Sequence, residues 1–255
     1  LKGIGFCRGG ALLATVGFAA AVAIMAGALL LVWLLSLLLL KRDLGKAKAK
    51  PKFREIFSKS RAINLLSAAR MFLFGARDVW FVVALPVFLA STLGWDFWQV
   101  GGFLAAWVIG YGLVQSFAPH ITGRATGRLP DGRSASAWAV LLAMVPATMA
   151  ALLVYGVPAA WVLIVGLTVF GVLFALNSAL HSYLIVSYAS EGGVSLGVGF
   201  YYMANAMGRL LGTVLSGWIF QRWSLAACLA ISAALIAVAA AVSLALPRST
   251  MHVRG

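Results

Sequence analysis

Long apolar runs follow one another along this chain, broken by short polar stretches that collect most of its charge. An α-helix rises 1.5 Å per residue, so a bilayer core about 30 Å thick takes about 20 residues to cross. Strands of a membrane barrel would instead alternate over about ten residues. The runs therefore predict spanning helices. Of 255 residues, 63% are hydrophobic and 10% charged, with a mean hydropathy of +1.00. A soluble domain is about a quarter charged and could not hide this much apolar surface. Soluble enzymes, disulfide-bonded secreted modules and disordered tails are thereby excluded.

Leu1 to Leu40 is apolar apart from Lys2 and Arg8. It is about twice as long as one crossing, so it is expected to break, with Gly17 as the corner. Leu1–Val16 then reads as the end of one span and Phe18–Leu40 as a complete one. A chain that opens inside an apolar segment without an initiator Met is expected to be the later part of a longer protein. Phe18–Leu40 is no signal peptide, because a span precedes it and a basic loop follows. Lys41–Ser67 is the longest polar stretch, carries Pro51 and reads as a linker. Further spans are expected at about Arg70–Ala90, Gln99–Ala118, Ala137–Tyr155, Ala160–Val186, Gly197–Phe220 and Ala226–Leu246. The expected organisation is two spans in 1–40, a basic cytoplasmic linker in 41–67 and a six-helix half in 68–255, about eight spans in all.

The net charge is +14, which raises the question of a nucleic-acid partner. Position answers it. Nine basic residues lie between Lys41 and Arg61, three in one later loop (Arg124, Arg128, Arg133) and two in the tail (Arg248, Arg254). Cytoplasmic loops collect Lys and Arg in this way. If Lys41–Ser67 is cytoplasmic, the stretches Pro119–Ser136, Ser187–Leu196 and Pro247–Gly255 must be so too. These regions hold fourteen basic residues by this count, whereas the outward turns hold only Arg222. The partner is the lipid bilayer, and no nucleic acid is expected. Cys7 and Cys228 lie in separate apolar segments and read as small buried hydrophobes, with no disulfide framework or metal cluster.

Polar groups inside the spans point to function, because a charge at the bilayer centre costs roughly 2.5–3.5 kcal/mol. Arg209 lies near the middle of its span. Tyr201, Asn205, Arg209 and Thr213 recur every four residues as one polar stripe. Gly208, Gly212 and Ser216 form a small-residue stripe beside it that permits close helix approach. Arg209 reads either as a cavity group or as half of a helix-locking ion pair. Arg77 and Asp78 lie well inside their span and point about 100° apart, so mutual neutralisation is not to be assumed. Arg77 reads as a substrate contact or as a structural partner of Asp78. Arg70 lies nearly in line with Arg77 and is expected to snorkel to the cytoplasmic interface. Asn177 and His181 share a face, as do Trp107, Tyr111 and Gln115, each set open to a packing or a binding role. Arg8 is deep and reads as a partner for a further helix.

Buried arginines outnumber buried carboxylates, and the guanidinium fork suits phosphate-like and carboxylate oxygens. A metal cation would need several acidic or thiolate ligands. A small anionic substrate is therefore expected. Arg209, Arg77, Asn205, Asn177, His181, Tyr201 and Gln115 are the candidate binding residues, with Asp78 as the proton-coupling group. No HExxH, CxxC or Gly-rich phosphate loop is present, so neither an enzyme nor a cofactor is expected.

Twelve spans in two six-helix halves joined by a cytoplasmic linker is the plan of major facilitator transporters. The loop Gly123-Arg124-Ala125-Thr126-Gly127-Arg128, followed by Asp131-Gly132-Arg133, resembles the Gly- and Arg-rich loop of that superfamily. The stretches KRDLGKAKAKPKFREIF (41–57), SRAINLLSAARMFLFGARDVWFVVALPVF (60–88), LNSALHSYLIVSYA (176–189) and GFYYMANAMGRLLGTVLS (199–216) resemble the organoarsenical efflux permeases of the ArsJ type. The resemblance covers essentially the whole chain, with the first four spans missing. It implies export of 1-arseno-3-phosphoglycerate across the inner membrane, arsenate resistance, and a functional link to a glyceraldehyde-3-phosphate dehydrogenase. The residues alone also fit a facilitator permease for another organic anion or sugar phosphate, or a non-transporting remnant.

Overall fold

A computed structural model of the protein describes residues 2–39, 60–121, 130–188 and 194–247. Among the described residues every regular element is an α-helix. In chain order these are α1 (Lys2–Leu39), α2 (Arg61–Phe81), α3 (Ala84–Ser91), α4 (Phe97–Ile121), α5 (Gly132–Val154), α6 (Ala159–Tyr188), α7 (Val194–Arg222) and α8 (Leu225–Leu244). Among the described residues, six stretches are long and apolar enough to cross a membrane: Ala11–Leu39, Arg61–Ser91, Phe97–Ala118, Gly132–Val154, Ala159–Tyr188 and Leu225–Leu244. This is an all-α, multi-pass membrane protein.

Six is fewer than the expected eight. The part of α1 before Gly17 is short and carries Lys2 and Arg8. α7 has 29 residues, but its polar stripe keeps it out of the apolar set. Residues 41–59 of the expected linker lie outside the described residues, and 61–67 already belong to α2. The Gly- and Arg-rich stretch 123–128 also lies outside them.

Local chemistry explains the breaks. Gly17 adopts φ 77°, ψ 171°, interrupting α1 at the corner the sequence suggests. That conformation is open to glycine and costly for other residues. The apolar run expected as a single span at Arg70–Ala90 lies in one span, Arg61–Ser91, built from two helices, α2 and α3. Pro86 cannot donate to the carbonyl four residues earlier, that of Val82, where α2 ends. The freed N–H of Ala84 donates instead to Ser216 Oγ on α7, at 3.1 Å. α5 starts on an Asp131 cap that accepts from Ser134 N–H at 2.9 Å. Burial pushes the Asp131 carboxyl up, but the hydrogen bonds from Ser134 outweigh it and hold the group below its usual value.

α2 is the axis of the bundle and packs on α6, α7 and α8, while α5 joins α6 to α8 and α4 lies on α6. Among the described residues α1 touches α4 alone. α2 and α7 run parallel: Ile63 meets Gly197, Gly75 meets Gly208 and Gly212, and Ala84 meets Ser216. α5 and α8 run antiparallel, with Gly132 against Ser243 and Leu246. The core is aromatic around Trp80, whose ring stands edge-on to Phe170 at 5.0 Å, with Phe170 stacked on Phe174. Outward faces carry exposed Leu113, Trp161, Val165, Leu211 and Val214, as helices in lipid should.

Candidate functional site

Glycine brings the charged residues of α2 and α7 together. A Cβ on Gly208 would overlap the Met71 carbonyl, and one on Gly212 would lie 2.5 Å from the Gly75 carbonyl oxygen. The small-residue stripe of α7 thus faces α2 at backbone contact, as the sequence suggests. Asp78 and Arg209 then fall opposite each other. The Asp78 side chain is completely buried. It accepts from Arg77 Nε at 2.6 Å and from Arg209 Nε at 2.9 Å. Two guanidinium groups share one carboxylate, leaving one net positive charge.

Arg77 and Asp78 do meet, although neighbours on a helix point about 100° apart, so the pairing left open for Arg77 is present. The long Arg77 side chain curls back to the adjacent carboxylate, which is itself wholly out of solvent. Arg77 also lies among the rings of Phe74, Phe81 and Phe174, with centroid distances of 5.1, 5.9 and 5.5 Å. Aromatic faces attract a desolvated cation. Arg209 differs, since 45% of its side chain remains exposed.

Arg77 and Arg209 line a cavity of about 200 Å³ with Phe81, Pro86, Trp107 and Tyr111. Trp107 is fixed by its indole N–H, which donates to the Leu167 carbonyl at 2.7 Å, and its ring stacks with Tyr111. The cavity therefore has a cationic wall on α2 and α7 facing an aromatic wall on α4. Gln115, one turn beyond Tyr111, is half-buried and does not line it. The volume is below the about 300–1,000 Å³ of sites for drug-sized ligands, and suits a small anion.

The remaining candidates belong elsewhere. Asn177, His181 and Tyr201 are buried. Asn177 donates to the Ala135 carbonyl at 3.4 Å. The Tyr201 ring lies 5.1 Å from the guanidinium of Arg70. Asn205 is half-buried on α7 between the two groups. Arg70 itself is the largest correction. It does not snorkel: it is 6% exposed, with Nη1 donating to the carbonyl and hydroxyl oxygens of Ser178, each at 3.1 Å. Its guanidinium also lies 4.0 Å from the Phe74 ring centroid. The heptad spacing from Arg77 was a signal for this shared inward face. The side chain of Arg8 lies outside the described residues.

No protein-family model and no curated protein matches the chain. Among the described residues no group of three or more His, Cys, Asp or Glu side chains is placed to hold a metal ion. What the cavity offers chemically is a pair of guanidinium forks, one of them half open, in front of two rigid aromatic rings.

Proposed function

We propose that the protein is an efflux permease of the major facilitator type, in the inner membrane, that exports a small organic anion. Its cargo is 1-arseno-3-phosphoglycerate, the product of a companion glyceraldehyde-3-phosphate dehydrogenase. One observation carries the anion: Arg77 and Arg209 converge on the single carboxylate of Asp78 at the edge of a small cavity. The organoarsenical identity is supported by the resemblance along the chain. Alternating access would expose the site first inward and then outward. A phosphate or carboxylate group displaces Asp78 from Arg209, and protonation of Asp78 frees both forks, so proton movement is coupled to binding.

The test is cellular arsenic under arsenate challenge when the protein is expressed together with the dehydrogenase. Arsenic content is expected to fall with the wild type. Arg209→Lys keeps the charge but loses the fork. A hydrogen bond to a charged group contributes about 1.5–3 kcal/mol, so transport should drop about tenfold or more. Arg209→Gln should do at least as much damage. Unchanged arsenic with correctly inserted wild type rejects the cargo, and wild-type export by Arg209→Gln rejects the anion site.

A further inference from the structure

A second charged cluster lies two turns before the cavity along α2. Arg70 and Arg77 are seven residues apart, about 10 Å along the helix and nearly in line. Arg77 has its carboxylate in Asp78, but among the described residues no ion pair reaches Arg70. The other described acidic side chains are occupied at helix starts. Asp96 accepts from Gln99 N–H at 2.7 Å, and Asp131 caps α5. A guanidinium does not discharge inside a protein, and burying an unpaired charge costs several kcal/mol.

The surroundings of Arg70 are rich in donors. Ser67 precedes it by three residues on the same face of α2 and is 1% exposed. On α6, His181 follows Ser178 by three residues on the same face and is 1% exposed. The guanidinium lies over the ring of the buried Tyr201, 5.1 Å from its centroid. Among the described residues Arg70 Nε, Ser67 Oγ and His181 Nδ1 are buried atoms with no hydrogen-bond partner. Buried polar groups are ordinarily paired, and an orphan costs about 1–3 kcal/mol. A buried cation with no carboxylate, with unmatched hydroxyl and imidazole groups on the adjoining faces of α2 and α6, has the donor chemistry of an anion site.

We propose that Arg70, Ser67, His181 and Tyr201 form a second anion-binding site, separate from the Arg77–Arg209 cavity, that holds one small inorganic anion of chloride size. The Phe74 ring, 4.0 Å from the guanidinium, closes one side and keeps the occupant small. The site stands on its own donor set and does not depend on what the cavity carries.

The test is the melting midpoint of the purified protein in detergent, titrated with sodium chloride against sodium gluconate at constant ionic strength. A ligand that binds only the folded state raises the midpoint as its concentration exceeds its Kd. Wild type should show a saturable rise of a few degrees in chloride. Arg209→Gln should keep that rise, while Arg70→Gln should lose it. Ser67→Ala and Tyr201→Phe each remove one hydroxyl and should shift the chloride midpoint concentration upward several-fold. They decide the matter even if Arg70→Gln does not fold. Identical melting in chloride and gluconate overturns the site. So does a chloride response that Arg209→Gln abolishes, or one that Ser67→Ala and Tyr201→Phe both leave unchanged.

Discussion

Asp78 balances two arginines, and the three side chains are unequally placed. The carboxylate is fully buried and Arg77 is 13% exposed, but Arg209 keeps 45% of its side chain open. Removing the shared anion leaves two cations facing each other across a helix contact. Removing the open cation leaves a carboxylate that still has Arg77. Breaking a buried ion pair costs about 3–5 kcal/mol, whereas an exposed pair contributes about 0–1 kcal/mol. Asp78→Asn should therefore lower stability by about 3–5 kcal/mol, and Arg209→Gln by about 1 kcal/mol or less. Denaturant unfolding in mixed micelles would measure both, and equal losses would mean that Asp78 is not the shared counter-ion. The sequence places Arg77, Asp78 and Arg209 inside spans. It does not show which two share the third, because that depends on the register of α7 against α2.

At the scale of the element, that register is set by glycine. Gly208 presses on the Met71 carbonyl and Gly212 on that of Gly75, so α7 cannot approach α2 as closely in any other rotation. Gly208→Ala forces the helices apart, an overpacking cost of about 1–3 kcal/mol. It also pulls Arg209 from Asp78 without touching either residue. Export should fall with Gly208→Ala about as far as with Arg209→Gln, while Gly199→Ala, which meets open space on the same helix, should leave it intact. Wild-type export by an inserted Gly208→Ala protein would separate the close contact from the site. The small-residue stripe was legible in sequence because its spacing of four is a helical property. The non-helical backbone at Gly17 falls where the length of the run called for a break, although Ala11–Leu39 counts as a single span and not as two. The break before α3 was missed, although Pro86 marks it, because hydropathy alone runs smoothly through Val82 and Val83. Arg70 was misread because an arginine near a span end can either reach for the interface or turn inward, and only the Ser178 carbonyl and hydroxyl on α6 decide between them.

At the scale of the whole molecule, packing and not hydropathy decides that α7 crosses the membrane. Its polar stripe excludes it on hydropathy, yet it lies parallel to α2 from Ile63–Gly197 to Ala84–Ser216. That is about 20 residues, or about 30 Å, the thickness of the hydrocarbon core. A helix held at backbone contact along a spanning helix must cross with it. The roughly 2.5–3.5 kcal/mol cost of a central arginine is reduced here because Arg209 keeps 45% of its side chain open and reaches Asp78 with the rest. Parity turns this into a measurement. With α7 crossing, six crossings separate the Lys41–Ser67 stretch from the tail, counting α2 and α3 as one. Both ends then lie on one side of the membrane, and their basic residues predict the cytoplasmic one. With α7 lying outside the membrane, five crossings would place the two ends on opposite sides. Single cysteines at Lys46 and Ser249 should both resist a membrane-impermeant thiol reagent in intact cells and react after permeabilisation. Labelling of one but not the other would show that α7 does not cross, and labelling of both from outside would invert the topology.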